Sequence, residues 1–304
     1  MNRREVTVPV ATVWTSPDAP RDLDALAVAD RPDAAAWADS MAPDVRLGLH
    51  GRTETQLLMG DPVQVLEERD DWARVVALSQ ASSRDERGYP GWVRDAHLGT
   101  PVPVGPGPSA TVVRPSARCT VGDVSVQLSF GTTLRVGSVQ EGTATVHLPD
   151  GRLGVVPLDV LRLDDRDDAP RPGPDDVLAA GRRFLGVRYL WGGTSGWGLD
   201  CSGLVHLTLR SFGVVVPRDA HDQAAAESVR DVPLDDVRPG DLYFFARPGE
   251  RIFHVGFVTR PVATDGTRWM LHAPEGGELI EDAPLAPHRV DHLVAAGRVV
   301  TRTG

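Results

Sequence analysis

Tyr189-Leu190-Trp191-Gly192-Gly193-Thr194-Ser195-Gly196-Trp197-Gly198-Leu199-Asp200-Cys201-Ser202-Gly203-Leu204-Val205 is the stretch whose reading decides the fold. A glycine-rich loop, 186–200, runs into a helix that opens on a cysteine. From Cys201 the apolar residues Leu204, Val205, Leu209 and Phe212 fall at i+3, i+4, i+8 and i+11, one face of a helix predicted over 201–212. Free N–H groups and the dipole at a helix start favour a thiolate, so the Cys201 pKa is expected to drop from about 8.5 toward roughly 3.5–7.5.

A cysteine nucleophile needs a proton acceptor that later protonates the leaving group, and histidine is the usual one. Downstream, Phe253-His254-Val255-Gly256-Phe257-Val258 reads as an apolar strand carrying His254. His272 stands on the next predicted strand, where a hairpin would let it fix the His254 tautomer as the third member of a triad. Taken singly, Cys201 reads sooner as a small buried hydrophobe than as a nucleophile, and His254 sooner as a satisfied core residue than as a base. Their conjunction carries the chemistry.

Working outward, the last block divides into helices first and strands after. A helix is predicted from an N-cap at Asp175 to about Leu185. Beyond Pro239-Gly240-Asp241, strands are predicted at 242–246, 253–259, 269–272, 279–281 and 292–301. That order gives an α+β domain over 175–304. Ahead of it lie two β-rich blocks. Residues 1–106 hold short strands such as 6–14, 62–67 and 72–78, with an Ala/Asp-rich helical insertion around 22–41. Residues 110–163 hold strands near 124–128, 133–136, 143–147 and 154–157, closely spaced as in a small β-barrel. Pro- and Gly-rich linkers are read at 100–109 and 164–174.

The bulk properties narrow the function. With 304 residues, two or three domains are expected. A net charge of −10 argues against nucleic acid or an anionic membrane as partner, and no apolar run is long enough to span a bilayer. The charge also favours small soluble fragments over polyanionic cell wall. Two cysteines make no disulfide framework, and no Cys/His spacing suits zinc, so neither metal nor cofactor is expected. Cys119 has no histidine motif near it and reads as structural. No apolar region follows Arg3 and Arg4, which points to the cytoplasm, or outside it if an export signal has been removed.

The ordered set Tyr189-x-Trp191-Gly192-Gly193, Asp200-Cys201-Ser202-Gly203, Pro217-Arg218-Asp219 with Gln223, Arg238-Pro239-Gly240-Asp241, His254-Val255-Gly256 and His272 resembles the NlpC-like family of papain-like cysteine peptidases across 175–304. The resemblance implies Cys201 as nucleophile, His254 as base, His272 as orienting residue and Tyr189 as a phenol donor to the oxyanion. It also implies that Asp200, Ser202 and Asp219 line the cleft and hold a γ-linked D-glutamyl residue. Asp200 reads equally as a plain N-cap. The family often has Ser after the third of these, and here Ala220 stands there, which leaves the fine specificity open.

Val13-Trp14-Thr15-Ser16-Pro17, Thr53-Glu54-Thr55-Gln56, Gly60-Asp61 and Gly88-Tyr89-Pro90-Gly91-Trp92-Val93 look like bacterial SH3-like domains. Two such domains precede the peptidase in the γ-D-glutamyl-L-diamino-acid endopeptidases of murein peptide recycling. The likeness implies an acidic residue and a tyrosine that hold the free amine of an N-terminal L-alanine, with Glu54 and Tyr89 matching and Asp61 in reserve. The expected architecture is therefore an α+β papain-like cysteine peptidase behind two small SH3-like barrels. Its expected substrate is a small murein peptide, L-Ala-γ-D-Glu-diamino acid, cut after D-Glu. Two other classes share these features: a wall-peptide binding module with an inactive peptidase, and an acyltransferase whose thioester an amine intercepts.

Overall fold

The computed structural model describes residues 2–164, 172–276 and 279–300. The second expected linker lies largely outside these residues. In the first unit seven strands form one antiparallel sheet in the order Thr53–Leu58, Val10–Trp14, Tyr89–Arg94, Trp72–Ala77, Pro62–Arg69, Arg3–Val6, Leu98–Gly99. Alternation drives this: along Tyr89–Arg94 every second residue is buried, so the strand gives one face to the core of Val13, Val63, Val75 and Val93. Short helices at Ala25–Val28, Ala34–Ser40 and Pro43–Leu47 sit between the second and third strands in sequence. They bury Trp37 against Trp14.

The second unit repeats that strand order throughout: Val124–Ser129, Ser116–Val121, Leu153–Pro157, Thr143–His147, Thr133–Gln140, Ser109–Val112, Leu161–Asp164. Cys119 is fully buried in its core, and burial pushes its thiol up to about 11.

In the third unit a six-stranded antiparallel sheet runs Val229–Val232, Leu293–Val299, Leu242–Phe245, His254–Val258, Trp269–His272, Glu281–Pro284. The helix Cys201–Arg210 packs on the strand His254–Val258. Every residue from Cys201 to Leu209 is buried, not one stripe alone, because both β units close over the side that an isolated domain would expose. Each fully buried Leu or Val there contributes about 1.5–3 kcal/mol.

Several expected boundaries move. The first helix runs Pro174–Gly181 and is capped at Gly173, whose N–H donates to Asp176; Pro174 takes the first helical position, where its missing N–H costs nothing. The strand expected at 279–281 is Glu281–Pro284. The strand Val229–Val232 and the helix Ala220–Ala225 are additions: polar residues interrupt both patterns. The described residues hold no helix long and apolar enough to cross a membrane.

Candidate active site

Asp200 builds the start of the nucleophile helix. Its Oδ1 accepts from Gly203 N at 2.6 Å, and its Oδ2 accepts from Gly192 N at 3.0 Å, so one carboxylate caps the helix and anchors the Trp-Gly-Gly loop. Gly203 permits this: a Cβ there would lie 2.1 Å from the carbonyl oxygen of Gly193. Fully buried Arg218 reaches the same carboxylate with both Nη atoms, at 2.9 and 2.6 Å, and bonds Ser202 Oγ at 2.9 Å. Its Nε donates to Thr55 Oγ1 of the first unit at 2.9 Å.

Thr53 Oγ1 donates to the Trp191 carbonyl at 2.9 Å, and Gln56 Oε1 accepts from Thr194 N at 3.1 Å. The second unit braces the next stretch of loop, with Ser129 Oγ accepting from Gly196 N at 2.9 Å. The loop before Cys201 is thus held by all three units.

Cys201 is 7 % exposed, and its Sγ lies 3.9 Å from the carbonyl oxygen of Phe253. The amide of Val255 also bonds the sulfur. The thiol therefore sits against the backbone on either side of His254. Burial first, then the Asp200 charge, pushes this thiol up to about 12, against the lowered value that its place at a helix start predicts. Desolvation outweighs the helix terminus because the sulfur faces the closed core between helix and sheet.

His254 is completely buried, and burial, His272 and Arg289 hold its pKa well below 6.5. Both shifts favour a neutral thiol beside a neutral imidazole.

The tautomers follow from the hydrogen bonds. His272 Nε2 lies 3.2 Å from Glu281 Oε1, an acceptor only, so Nε2 carries the proton of neutral His272. His272 Nδ1 is then bare and accepts from His254 Nε2–H at 2.9 Å. That leaves His254 Nδ1 as a free lone pair, and it has no hydrogen-bond partner among the described residues. Gly256 makes the histidine contact possible, since a Cβ there would lie 2.8 Å from His272 Cβ. Tyr189 is buried beside Cys201; burial and the Cys201 and Asp200 charges raise its pKa well above 10, which keeps its phenol proton.

The second cluster spans the first and third units. Tyr89 Oη donates to Asp219, 3.0 Å from Oδ2, and burial raises the Asp219 pKa. Glu54 is paired through both oxygens with Arg84, at 2.5 and 2.9 Å, and the Arg84 guanidinium lies over the Tyr89 ring, 5.3 Å from its centroid.

Sequence reasoning named Glu54, Tyr89 and Asp219 but missed Arg84, on a polar loop without a motif. Arg218 stood in a quoted motif without a role, because nothing in a sequence marks an arginine for burial. Asp61 lies elsewhere: buried, it accepts from Leu58 N and pairs with Arg210 at the far end of the ten-residue helix, so it leaves the reserve role empty. Asp200 and Ser202 have their polar atoms engaged by the protein, which the N-cap reading of Asp200 accounts for.

Among the described residues one group, Asp219, His221 and Asp222, brings metal-type ligand atoms within 4.8 Å of one another. Both carboxylates already have partners in Tyr89, Ser83 N and His221.

Residues 186–298 match the NlpC/P60 family model, and residues 49–98 match the bacterial dipeptidyl-peptidase Sh3 domain. The chain is 36% identical to a γ-D-glutamyl-L-lysine dipeptidyl-peptidase of Bacillus subtilis (strain 168), over 90% of each chain. A protein of the same name from Bacillus cereus (strain ATCC 10987) is 31% identical, over 96% of this chain and 90% of the relative. The crystal structure of an NlpC/P60 family protein from Bacillus cereus ATCC 10987 superposes with a TM-score of 0.91 at 30% identity, covering 99% of this chain and all of that one. The chain belongs to the NlpC/P60 family of cysteine peptidases, with an SH3 domain ahead of its papain-like peptidase domain.

Proposed function

We propose that this enzyme hydrolyses the γ-D-Glu–diamino acid bond of peptidoglycan-derived peptides that carry a free N-terminal L-alanine. The observation that carries the chemistry is the bare, buried Nδ1 of His254 on the strand that cradles the Cys201 sulfur. As sulfur attacks the γ-carbonyl carbon, its proton passes to His254 Nδ1, and Tyr189 with the Cys201 amide receives the oxyanion. His254 then protonates the departing amine, leaving a thioester. Water, deprotonated by the same nitrogen, attacks it and restores the thiol.

The substrate class rests on the names of the two Bacillus relatives and on the acidic cluster of Glu54 and Asp219 beside Tyr89. A peptide with a free ammonium brings a charge that such a cluster attracts; an acylated or chain-extended one brings none. A cavity of about 390 Å³ lined by Phe253, Glu275, Arg247 and Arg289 has the room and charges for a diamino acid.

The test is mass spectrometry of L-Ala-γ-D-Glu-L-Lys, free and N-acetylated, with wild type and Cys201→Ala. Cleavage of the free peptide alone, and by wild type alone, is expected. Equal cleavage of both peptides would remove the amine-holding role, and a product carrying an added amine acceptor would turn the reading to acyl transfer.

A further inference from the structure

The acidic cluster is already paired within the chain. Arg84 already makes with Glu54 the charge-paired, two-oxygen contact that an incoming ammonium would need. The Glu54 side chain is 15 % exposed, so little of it is left for a second cation, whereas the Arg84 side chain is 44 % exposed and has solvent to move into.

The backbone beneath Arg84 is fixed. The Ala81 carbonyl accepts from Arg218 N at 3.0 Å, Ser83 N donates to Asp222 Oδ2 at 2.9 Å, and Arg84 N donates to Ser82 Oγ at 3.2 Å. Gly88 closes the loop at φ +150, where a Cβ would lie 2.1 Å from the Ala77 carbonyl oxygen. The loop is thus tied to the segment that carries Arg218 and Asp219, and the Arg84 side chain is the part free to swing.

We propose that Arg84 is a side-chain gate on the amine-holding subsite: its guanidinium stands in for the substrate ammonium on Glu54 and must be displaced before a peptide binds. This rests on the free-amine reading above and adds a specificity-determining residue to it. A side chain at this exposure exchanges rotamers in picoseconds to nanoseconds, far faster than turnover, so the gate acts on the equilibrium and not on the chemical step. The apparent affinity for free-amine peptide is lowered by the fraction of time the subsite is open. A half-exposed pair of this kind contributes about 1 kcal/mol, which converts to about fivefold. The gate also penalises weak cationic ligands, because only a ligand with further contacts in the cleft offsets the lost pair.

The experiment is steady-state kinetics of wild type, Arg84→Ala and Arg84→Lys on L-Ala-γ-D-Glu-L-Lys. For Arg84→Ala, KM is expected to fall about fivefold with kcat unchanged. Arg84→Lys, whose ammonium cannot grip both carboxylate oxygens, is expected to fall between. An unchanged KM in Arg84→Ala overturns the gate, and a raised KM overturns it too, by making Arg84 a ligand of the substrate. Circular dichroism melts of the three proteins check that each is folded. Failure of the underlying reading shows separately: wild type would then cleave free and N-acetylated peptide alike, and Glu54→Gln would leave KM for the free peptide where it was.

Discussion

Arg218 and Asp200 form a two-pronged ion pair beneath the first turn of the nucleophile helix, with Nη1 2.9 Å from Oδ1 and Nη2 2.6 Å from Oδ2. The guanidinium is 1 % exposed, and its remaining donor reaches Thr55 of the first unit. One side chain therefore ties the cap of the Cys201 helix to a strand of another unit. Removing one member of a buried pair leaves the other charge uncompensated. Arg218→Met is expected to destabilise the protein by about 3–5 kcal/mol in urea unfolding. Arg218→Met combined with Asp200→Asn should recover part of that loss, since no bare charge is left behind. If the single variant loses less than about 1 kcal/mol, the pair is not what holds the units together.

The same pair marks where sequence reading stops. Cys201, His254 and His272 were legible because each sits in a short motif and the element types follow from periodicity. The strand and helix alternations come from local burial, and so do the antiparallel sheet and the SH3-like block. What is not local was not legible. Arg218 is buried where the first and third units meet, bonded to Thr55 of one and to Asp200 and Ser202 of the other. The Cys201 helix is apolar on one side in sequence, yet it is buried all round, with His206 and Thr208 inside as well. The thiol pKa is a similar case: the helix start that lowers it is a local feature, whereas the desolvation that raises it depends on the assembled cleft.

Glu281 sets the tautomers of two histidines from a position directly opposite His272 in the sheet. Its carboxylate is half exposed, so the hydrogen bond is worth less than a buried one, and loss of about 1.4 kcal/mol of transition-state stabilisation is a fair scale. Glu281→Ala is expected to lower kcat about tenfold with little change in KM. Glu281→Gln keeps an oxygen that accepts from His272 Nε2–H and should restore most of the rate. Equal losses in both variants would mean that the charge matters, not the tautomer. His272→Ala, which removes the partner of His254 outright, should cost more than either.

His206, on the nucleophile helix, is buried with its Nδ1 2.9 Å from the Val216 carbonyl oxygen, and burial holds its pKa at about 4. In the unfolded chain it titrates near 6.5, so below that pH the unfolded state binds the extra proton. The stabilising effect of keeping this ring neutral is fully present above pH 6.5 and is lost as pH falls from 6.5 toward 4. At that lower limit the loss is about 3 kcal/mol. Buried His97 and His272, with pKa values also lowered, act in the same direction, so the informative quantity is a difference between proteins. Urea midpoints from pH 7.5 to 4.5 should fall less steeply for His206→Gln than for wild type. Parallel slopes would show that His206 takes up its proton in the folded state.

Cys201 and His254 can rest as a neutral pair or as a thiolate and imidazolium, and the two states alkylate differently. Burial raises the thiol to about 12 and lowers the imidazole well below 6.5, so both shifts favour the neutral pair. The opposing influences are the Val255 amide, the Arg218 charge, the helix start and the attraction between the two charges once formed. In the neutral state the thiolate fraction grows with every unit of pH. The rate of iodoacetamide modification at Cys201, followed by mass spectrometry on Cys119→Ala protein, should therefore climb steadily from pH 6 to 9. A rate that is already flat between pH 6 and 8 would mean a preformed ion pair. Substrate attack would then begin from a thiolate, and His254 would act first as acid toward the leaving amine.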